Sequence, residues 1–284
     1  MKAHGNAVTQ HPADDNYAPV DPAQQPMVCQ LPEGSRIKLI GLGGIGCVVL
    51  DYLARFLTWH AQPMRLVLVD GDTFEPANAA RMQFAALGNK AQVKAAEILG
   101  QLGETALTIA AMPVYVDEHN VAEIARENDV LFVAVDNHVT RRLISERVQQ
   151  LQNVALFSGG NDGVNPPHQR GTYGNVQVHI RRDGQDLTVP VTRYHPEIAQ
   201  ATAGHPGDVS CGELVKSVPQ ILFTNLAVAS CMLNAFLAYS SGRLAYQEAK
   251  LDILEARCLP QFPLKEAIPA PGSASPRLQI NRPR

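Results

Sequence analysis

The stretch Ile37–Asp72, IKLIGLGGIGCVVLDYLARFLTWHAQPMRLVLVDGD, decides the fold of this chain. Ile37–Ile40 is a short apolar run that ends in Gly41, Gly43, Gly44 and Gly46. Val48, Val49, Tyr52, Leu53, Phe56 and Leu57 then recur at helical spacing before Pro63, and Leu66–Val69 is a second apolar run closed by Asp70. The pattern predicts a strand, a glycine turn, an amphipathic helix and a buried parallel strand. Glycines let such a turn bend tightly and leave room for a phosphate beside the backbone. The free N–H groups and positive dipole end of the helix attract that anion. Asp70 stands where a nucleotide ribose would be held. Dehydrogenases, flavoproteins and methyltransferases share this motif, so it points to a fold before it points to a chemistry.

Outward from this unit the alternation continues. A helix is expected from about Asn89 to Leu102, a strand over Leu107–Tyr115 and a helix over Val121–Asn128. Strand Val130–Val135 ends in Asp136-Asn137, followed by helix Thr140–Leu151 and strand Val154–Ser158. This order predicts a Rossmann-like α/β fold: an open, mostly parallel sheet with helices on both faces and its ligand at the strands' carboxyl ends. Ser158–Gly163, SGGNDG, suits either a structural turn or a crossover under which a partner's tail threads. Further strands are expected in NVQVHIRR (175–182) and DLTVPVT (186–192), then an irregular stretch over 192–218 that contains Cys211. Residues 1–34 are expected as a flexible arm, 35–255 as one domain and 256–284 as a Pro-rich, frayed tail.

Composition narrows the partners. With 45% hydrophobic residues among 284, the chain can bury a sizeable core, and a net charge of −3 offers no general attraction to nucleic acid or an anionic membrane. Pro219–Tyr239 approaches a membrane span in length, but it carries Thr224, Asn225, Ser230 and Asn234 without flanking basic clusters, so it reads as a buried packing helix. No apolar signal region follows the first Lys, and the five cysteines form no Cys-x-x-Cys pair. Reduced thiols in a cytoplasmic protein are expected.

Three polar clusters fall at the carboxyl edge of the expected sheet: Asp70 and Asp72 followed by Asn78 and Arg81, then Lys90 and Lys94, then Asp136-Asn137. The series G-x-G-G-x-G, D-x-D, N-x-x-R, a Lys-led helix and D-N-x-x-x-R (Asp136, Asn137, Arg141) resembles the ThiF/HesA/MoeB family over about Ile37–Gly160. That family is similar to the adenylating domain of ubiquitin-activating enzymes, and the likeness is greatest to stand-alone bacterial ThiF-type proteins, including those of PRTRC-type gene clusters. The resemblance implies an ATP- and Mg²⁺-dependent adenylyltransferase. Its substrate would be the C-terminal carboxylate of a small ubiquitin-like protein ending in glycine, and its assembly a homodimer in which Arg36 is a candidate to reach the partner's phosphates.

The same resemblance gives the residues their roles. Gly41, Gly43, Gly44, Gly46, Asp70, Asp72, Asn78, Arg81 and Asn137 hold nucleotide; Arg81 clamps phosphate oxygens, Lys90 or Lys94 supplies a point charge and Asp136 holds Mg²⁺. Lys94 lies at the family's usual distance from Arg81, whereas Lys90 better fits the local helix pattern after Gly88. Cys211, in GDVSCGEL, is either a nucleophile that forms a thioester or a packing residue. Cys47, Cys231 and Cys258 read as packing, His195 and His205 as loop surface, and Arg141 and Arg142 as solvated helix charges. Two features depart from the family: Met82 separates Arg81 from Gln83, and the Cys-x-x-Cys pairs of a structural zinc are missing. The Met82 departure favours a non-catalytic scaffold as an alternative. A nicotinamide-dependent oxidoreductase is a further one, although it leaves the N-x-x-R segment unexplained.

Overall fold

The computed structural model describes residues 28–60, 62–75, 83–165, 169–202 and 220–272. Asn78, Arg81, His205 and Cys211 lie outside them, as do 1–27 of the expected arm and 273–284 of the expected tail.

The first half runs β1 (Arg36–Ile40), α1 (Gly44–Trp59), β2 (Met64–Val69), the short β3 (Thr73–Phe74) and β4 (Gly88–Asn89), then α2 (Lys90–Leu102) and β5 (Leu107–Met112). It continues through α3 (Val121–Ile124), β6 (Asp129–Val133), α4 (His138–Val148) and β7 (Val154–Asn161). The second half comprises β8 (Val164–Asn165), β9 (Gln169–Arg170), β10 (Tyr173–Arg182), β11 (Gln185–Asp186), α5 (Val191–Tyr194) and α6 (Pro196–Ala199). It ends with α7 (Leu222–Ser240), β12 (Leu244–Asp252) and β13 (Arg257–Ile268).

The main sheet has the order β13-β12-β10-β7-β6-β1-β2-β5. β5, β2, β1, β6 and β7 are parallel to one another, as the alternation predicts, and β10, β12 and β13 extend the sheet antiparallel. The chain leaves β1 on one side to form β2 and β5, then returns on the other to form β6. A crevice therefore opens over the carboxyl ends of β1 and β6, where ligands bind in open sheets of this kind. One face of the sheet carries α1, α2 and α7, and its core includes Phe132 and Phe157, 5.3 Å apart, with Phe236 of α7 set edge-on to both. The other face buries Ile40, Val69, Leu131 and Val133 with Ile144 of α4 and Ile198 of α6.

Several elements differ from expectation for local reasons. β5 stops at Met112 because Pro113 has no N–H for the ladder. α3 ends at Ile124, where Lys38 Nζ takes the Ile124 carbonyl, and Asn128 at φ 63° turns the chain into β6. The expected strand DLTVPVT does not form. Thr188 Oγ1 donates to Val178 O and accepts from Ile180 N–H, both at 2.8 Å, and Pro190 starts α5. The tail also needs correcting: Arg257–Ile268 is the outer strand β13 on the unforeseen β12, an edge position that tolerates Pro260 and Pro263. At the other end of the chain Leu31 is buried and Gln30 N–H donates to Ser240 O, so the last residues of the expected arm dock on the core.

Opposite the crevice, a buried ion cluster fastens the starts of β1 and β6. The fully buried Asp129 carboxylate takes Lys38 Nζ at 2.7 Å and Arg36 Nε at 2.8 Å, and Arg36 Nη2 also donates to Glu127 O. Arg36 thus sits at the far end of β1 from its own glycine turn, paired with Asp129. Removing Asp129 leaves the buried Lys38 ammonium without its counter-charge. Asp129→Ala is expected to destabilise the fold by about 3–5 kcal/mol in urea titration, whereas an unchanged midpoint would show the cluster to be dispensable.

Candidate functional site

The site is built on the turn after β1. Gly41 has φ +91°, and a Cβ on Gly46 would lie 1.9 Å from Gly41 O, so only a bare backbone closes this turn. A Cβ on Gly43 would meet nothing within 4 Å, which leaves open space above the turn. Gly43 is also the N-cap of α1, without a side-chain hydrogen bond and with no acid in the first turn. The positive end of a 16-residue helix thus has no side-chain cap and no acid in its own first turn, and an anionic phosphate fits it.

Asp70 joins this turn to the next segment. Its Oδ2 accepts Leu42 N–H at 2.6 Å and its Oδ1 accepts Asp72 N–H at 2.8 Å. Burial raises the Asp70 carboxyl above its ordinary value, against the pull of Lys90 and these two amides. Gly71 must be glycine, because a Cβ there would fall 2.6 Å from the Tyr115 ring. That ring brings its hydroxyl to Asp72 Oδ1 at 2.5 Å, while Lys90 Nζ takes Asp72 Oδ2 at 2.8 Å. Burial alone would raise the Asp72 carboxyl, but Lys90 and the Tyr115 hydroxyl outweigh it and hold it below the usual range.

Lys90 and Lys94, left unresolved by sequence, go to different places. Lys90 opens α2 beside the Asp70–Asp72 segment. Lys94 reaches forward along its own helix to Glu97 Oε1 at 3.0 Å and lies 5.0 Å from the centre of the Phe84 ring. Asn89, which sequence reasoning took only as the helix start, fixes the difference. Its Oδ1 accepts Gln92 N–H as the α2 cap, and its Nδ2 donates to Asp70 O at 2.9 Å and Asp72 O at 3.0 Å.

The third cluster follows β6. Asp136 is exposed at the strand's carboxyl end. Asn137 Oδ1 caps α4 by accepting Thr140 N–H at 2.8 Å, so that oxygen is committed to the helix. Arg141 is not a solvated charge as expected: it is buried, donating to Val135 O and Gly159 O at 2.6 Å and to Ser158 Oγ at 2.7 Å. Burial brings its guanidinium down to about 10, opposed by Asp136. It clamps the ends of β6 and β7 behind Asp136, while Arg142 pairs with Glu146 at the surface. Ser158–Asn161 extend β7 instead of forming a loop. A Cβ on Gly159 would strike Met232 Sδ and one on Gly160 would lie 2.8 Å from Arg141 Nη2, so close packing, and no positive φ, requires both glycines.

The remaining thiols sort by burial. Cys47 and Cys231 are buried and pushed up to about 12, mainly by desolvation, which makes them inert packing residues. Cys258, expected to pack, is exposed on the outer strand β13. Among the described residues no group of three or more His, Cys, Asp or Glu side chains gathers to hold a metal. A lone exposed Asp136 still suits Mg²⁺, which is commonly held by one or two carboxylates together with substrate phosphates and water.

Comparison with known proteins shows the family. The ThiF family model matches residues 26–258, and the chain belongs to the ThiF family. It is 29% identical over 129 residues to the molybdopterin-synthase adenylyltransferase of Haemophilus influenzae, covering 45% of this chain and 51% of that protein. It is 30% identical over 129 residues to the SAMP-activating enzyme E1 of Haloferax volcanii, covering 44% and 45% respectively. The chain thus spans about half the length of these curated relatives. The fold is similar to that of MccB from E. coli solved with ATP, with a TM-score of 0.56 at 13% identity over 84% of this chain and 66% of that one.

On the α4 face, His195 is no loop-surface residue. Its Nε2 lies 2.9 Å from Glu248 Oε1 on β12 and its Nδ1 2.9 Å from Glu197 Oε1 on α6. The hydrogen bond to Glu248 raises the imidazole above its ordinary value; burial opposes it and Glu197 adds to it. His138 on α4 and Lys250 beside Glu248 are the other charged neighbours. A raised histidine stabilises the fold fully below about pH 6.5 and loses that contribution as pH rises through the folded value. Between about pH 6 and pH 9 the wild-type melting temperature should therefore fall more than that of His195→Gln; parallel curves would contradict the pairing.

Proposed function

We propose that this chain is an adenylyltransferase that uses Mg-ATP to activate the C-terminal carboxylate of a small ubiquitin-like protein ending in glycine. The observation that carries the reading is the Lys90–Asp72 pair beside an uncapped glycine turn, with Asp136 on the same carboxyl edge. The names of the relatives, an adenylyltransferase and an activating enzyme, support it and weigh against a nicotinamide-dependent enzyme.

A carboxylate oxygen attacks the α-phosphorus of ATP. The bond from that phosphorus to the oxygen bridging the β-phosphate breaks, and its electron pair leaves with pyrophosphate, giving an acyl-adenylate. Two anions must meet while negative charge spreads over the phosphates, so catalysis is positioning and neutralisation. Lys90, held by Asp72 and by the cap at Asn89, supplies a fixed positive charge. Arg81 clamps phosphate oxygens, Asn78 adds a neutral donor and Asp136 holds Mg²⁺. Asp70 has acceptor sites beyond the two amides it holds and receives the ribose hydroxyls. Transfer of the acyl group to the Cys211 thiolate, with AMP departing, extends the same reading. The enzyme acts in the cytoplasm as a homodimer, to which α1 and α7 bring the exposed apolar side chains Tyr52, Trp59, Phe223 and Leu226.

ATP–pyrophosphate exchange with a glycine-ending partner tests the assignment. Lys90→Ala and Asp136→Ala should each slow exchange by about 10²-fold and Arg81→Ala by about 10³-fold. Lys94→Met should stay within a few-fold of wild type. Exchange lost in Lys94→Met but kept in Lys90→Ala would exchange the two lysines' roles. Robust exchange surviving both Arg81→Ala and Asp136→Ala would defeat the reading, and nucleotide binding with no exchange at all would leave the scaffold.

A further inference from the structure

Asn225, in the first turn of α7, has a completely buried side chain. It lies directly over the glycine turn, since a Cβ on Gly44 would fall 2.2 Å from Asn225 Nδ2 and 3.0 Å from its Cγ. Neither Nδ2 nor Oδ1 has a hydrogen-bond partner among the described residues. Its neighbour Thr224 is equally buried but satisfied, with Oγ1 donating to Gly171 O at 2.7 Å. The turn of helix is thus well packed, and only the carboxamide is left over. An apolar side chain would cost less at such a position, because a buried amide gives up its hydrogen bonds to water and here regains none. Holding α7 against α1 does not explain it either, since it makes no hydrogen bond to α1.

What the carboxamide faces does explain it. α1 begins at Gly44 with no side-chain cap, and its first amides form an anion site under open space at Gly43. We infer that Asn225 is a ligand-binding residue of this site, its Nδ2 donating to a phosphate oxygen of the nucleotide at the amino end of α1. A neutral donor suits the position, because it adds a hydrogen bond without placing another cation beside the helix end. The identity of the ligand rests on the adenylyl-transfer reading above; the need for a polar partner at this spot does not. Gly44 and Asn225 form a matched pair, for the missing Cβ on one makes room for the amide of the other.

The test compares Mg-ATP with adenosine, which lacks phosphates, by isothermal titration of the full chain and of Asn225→Ala and Asn225→Asp. The alanine variant should bind Mg-ATP about tenfold or more weakly, as expected for loss of a hydrogen bond to a charged group, with adenosine affinity unchanged within about twofold. The aspartate variant keeps the shape, and its negative charge suits the helix end, so it should fold and lose Mg-ATP at least as strongly. Wild-type affinity for Mg-ATP in both variants would overturn the inference while leaving the proposed function intact. So would parallel losses of ATP and adenosine, which would mark a purely structural residue. A wild-type chain that takes up neither ligand would overturn the nucleotide reading, and the inference with it.

Discussion

The Asp70 carboxylate, with one backbone amide on each oxygen, is the joint on which the site depends. Leu42 N–H belongs to the glycine turn and Asp72 N–H to the segment that carries Lys90, so one buried group sets the spacing between an anion site and its cation. Burial of a carboxylate is unfavourable and raises the Asp70 carboxyl, and nearby Lys90 together with two amide donors offsets only part of it. Replacing that carboxylate by an apolar side chain would free the turn from β2. The conformation of Gly41 and the contact of Gly46 with Gly41 O would then have to hold the loop alone.

Around this joint the molecule divides its rigidity unevenly. At the amino ends of the strands, the buried Asp129 and Lys38 pair with each other and with the partly exposed Arg36, and leave little freedom between β1 and β6. At the carboxyl ends, Arg141 does the corresponding work with backbone carbonyls, tying Val135 to Gly159 and leaving Asp136 outside the clamp and exposed. A buried arginine on carbonyl oxygens fixes the strand tips without consuming the exposed acid beside it, to which the proposed function gives the metal-bound nucleotide. The same division holds on α2, where Asn89 and Asp72 position Lys90 while Lys94 is committed to Glu97 and Phe84.

Much of this was legible in the sequence, and the reasons for the rest are physical. Periodicity exposed β1, α1 and β2 because each buries a regular face, and the glycine turn because few other residues close it. The antiparallel half was legible only in part. β12, LAYQEAKLD, carries Tyr246, Glu248 and Lys250 through a strand, and β13 contains prolines, which an edge tolerates and a pattern reads as a tail. Among site residues, Asp70, Asp72, Lys90 and Asp136 could be found because they punctuate strand ends or helix starts. Tyr115, His195 and Asn225 could not, and neither could the burial of Arg141, since each matters through a partner far away in the chain. Arg141 shows the difficulty best. The D-N-x-x-x-R series marks its position, but its partners are two carbonyls and a serine hydroxyl, and nothing in HVTRRLISERV shows that it is buried where Arg142 is not.

That separation between local and distant determinants bears on how the site can be both preorganised and unfinished. A helix end without a cap and an open space above Gly43 are each unfavourable in an isolated fold. They persist because the aromatic contact of Phe132, Phe157 and Phe236 and the buried Asp129 cluster fix the sheet and its covering helices independently of the crevice. With the scaffold's stability drawn from those regions, the turn does not have to satisfy its own polar groups. Its geometry is then set by steric exclusion at Gly41 and Gly46 and by the Asp70 joint, constraints that act whether or not an anion is bound. On the proposed function, a site held in this way would meet a phosphate with its turn already formed, so little of the binding energy would be lost to ordering the loop.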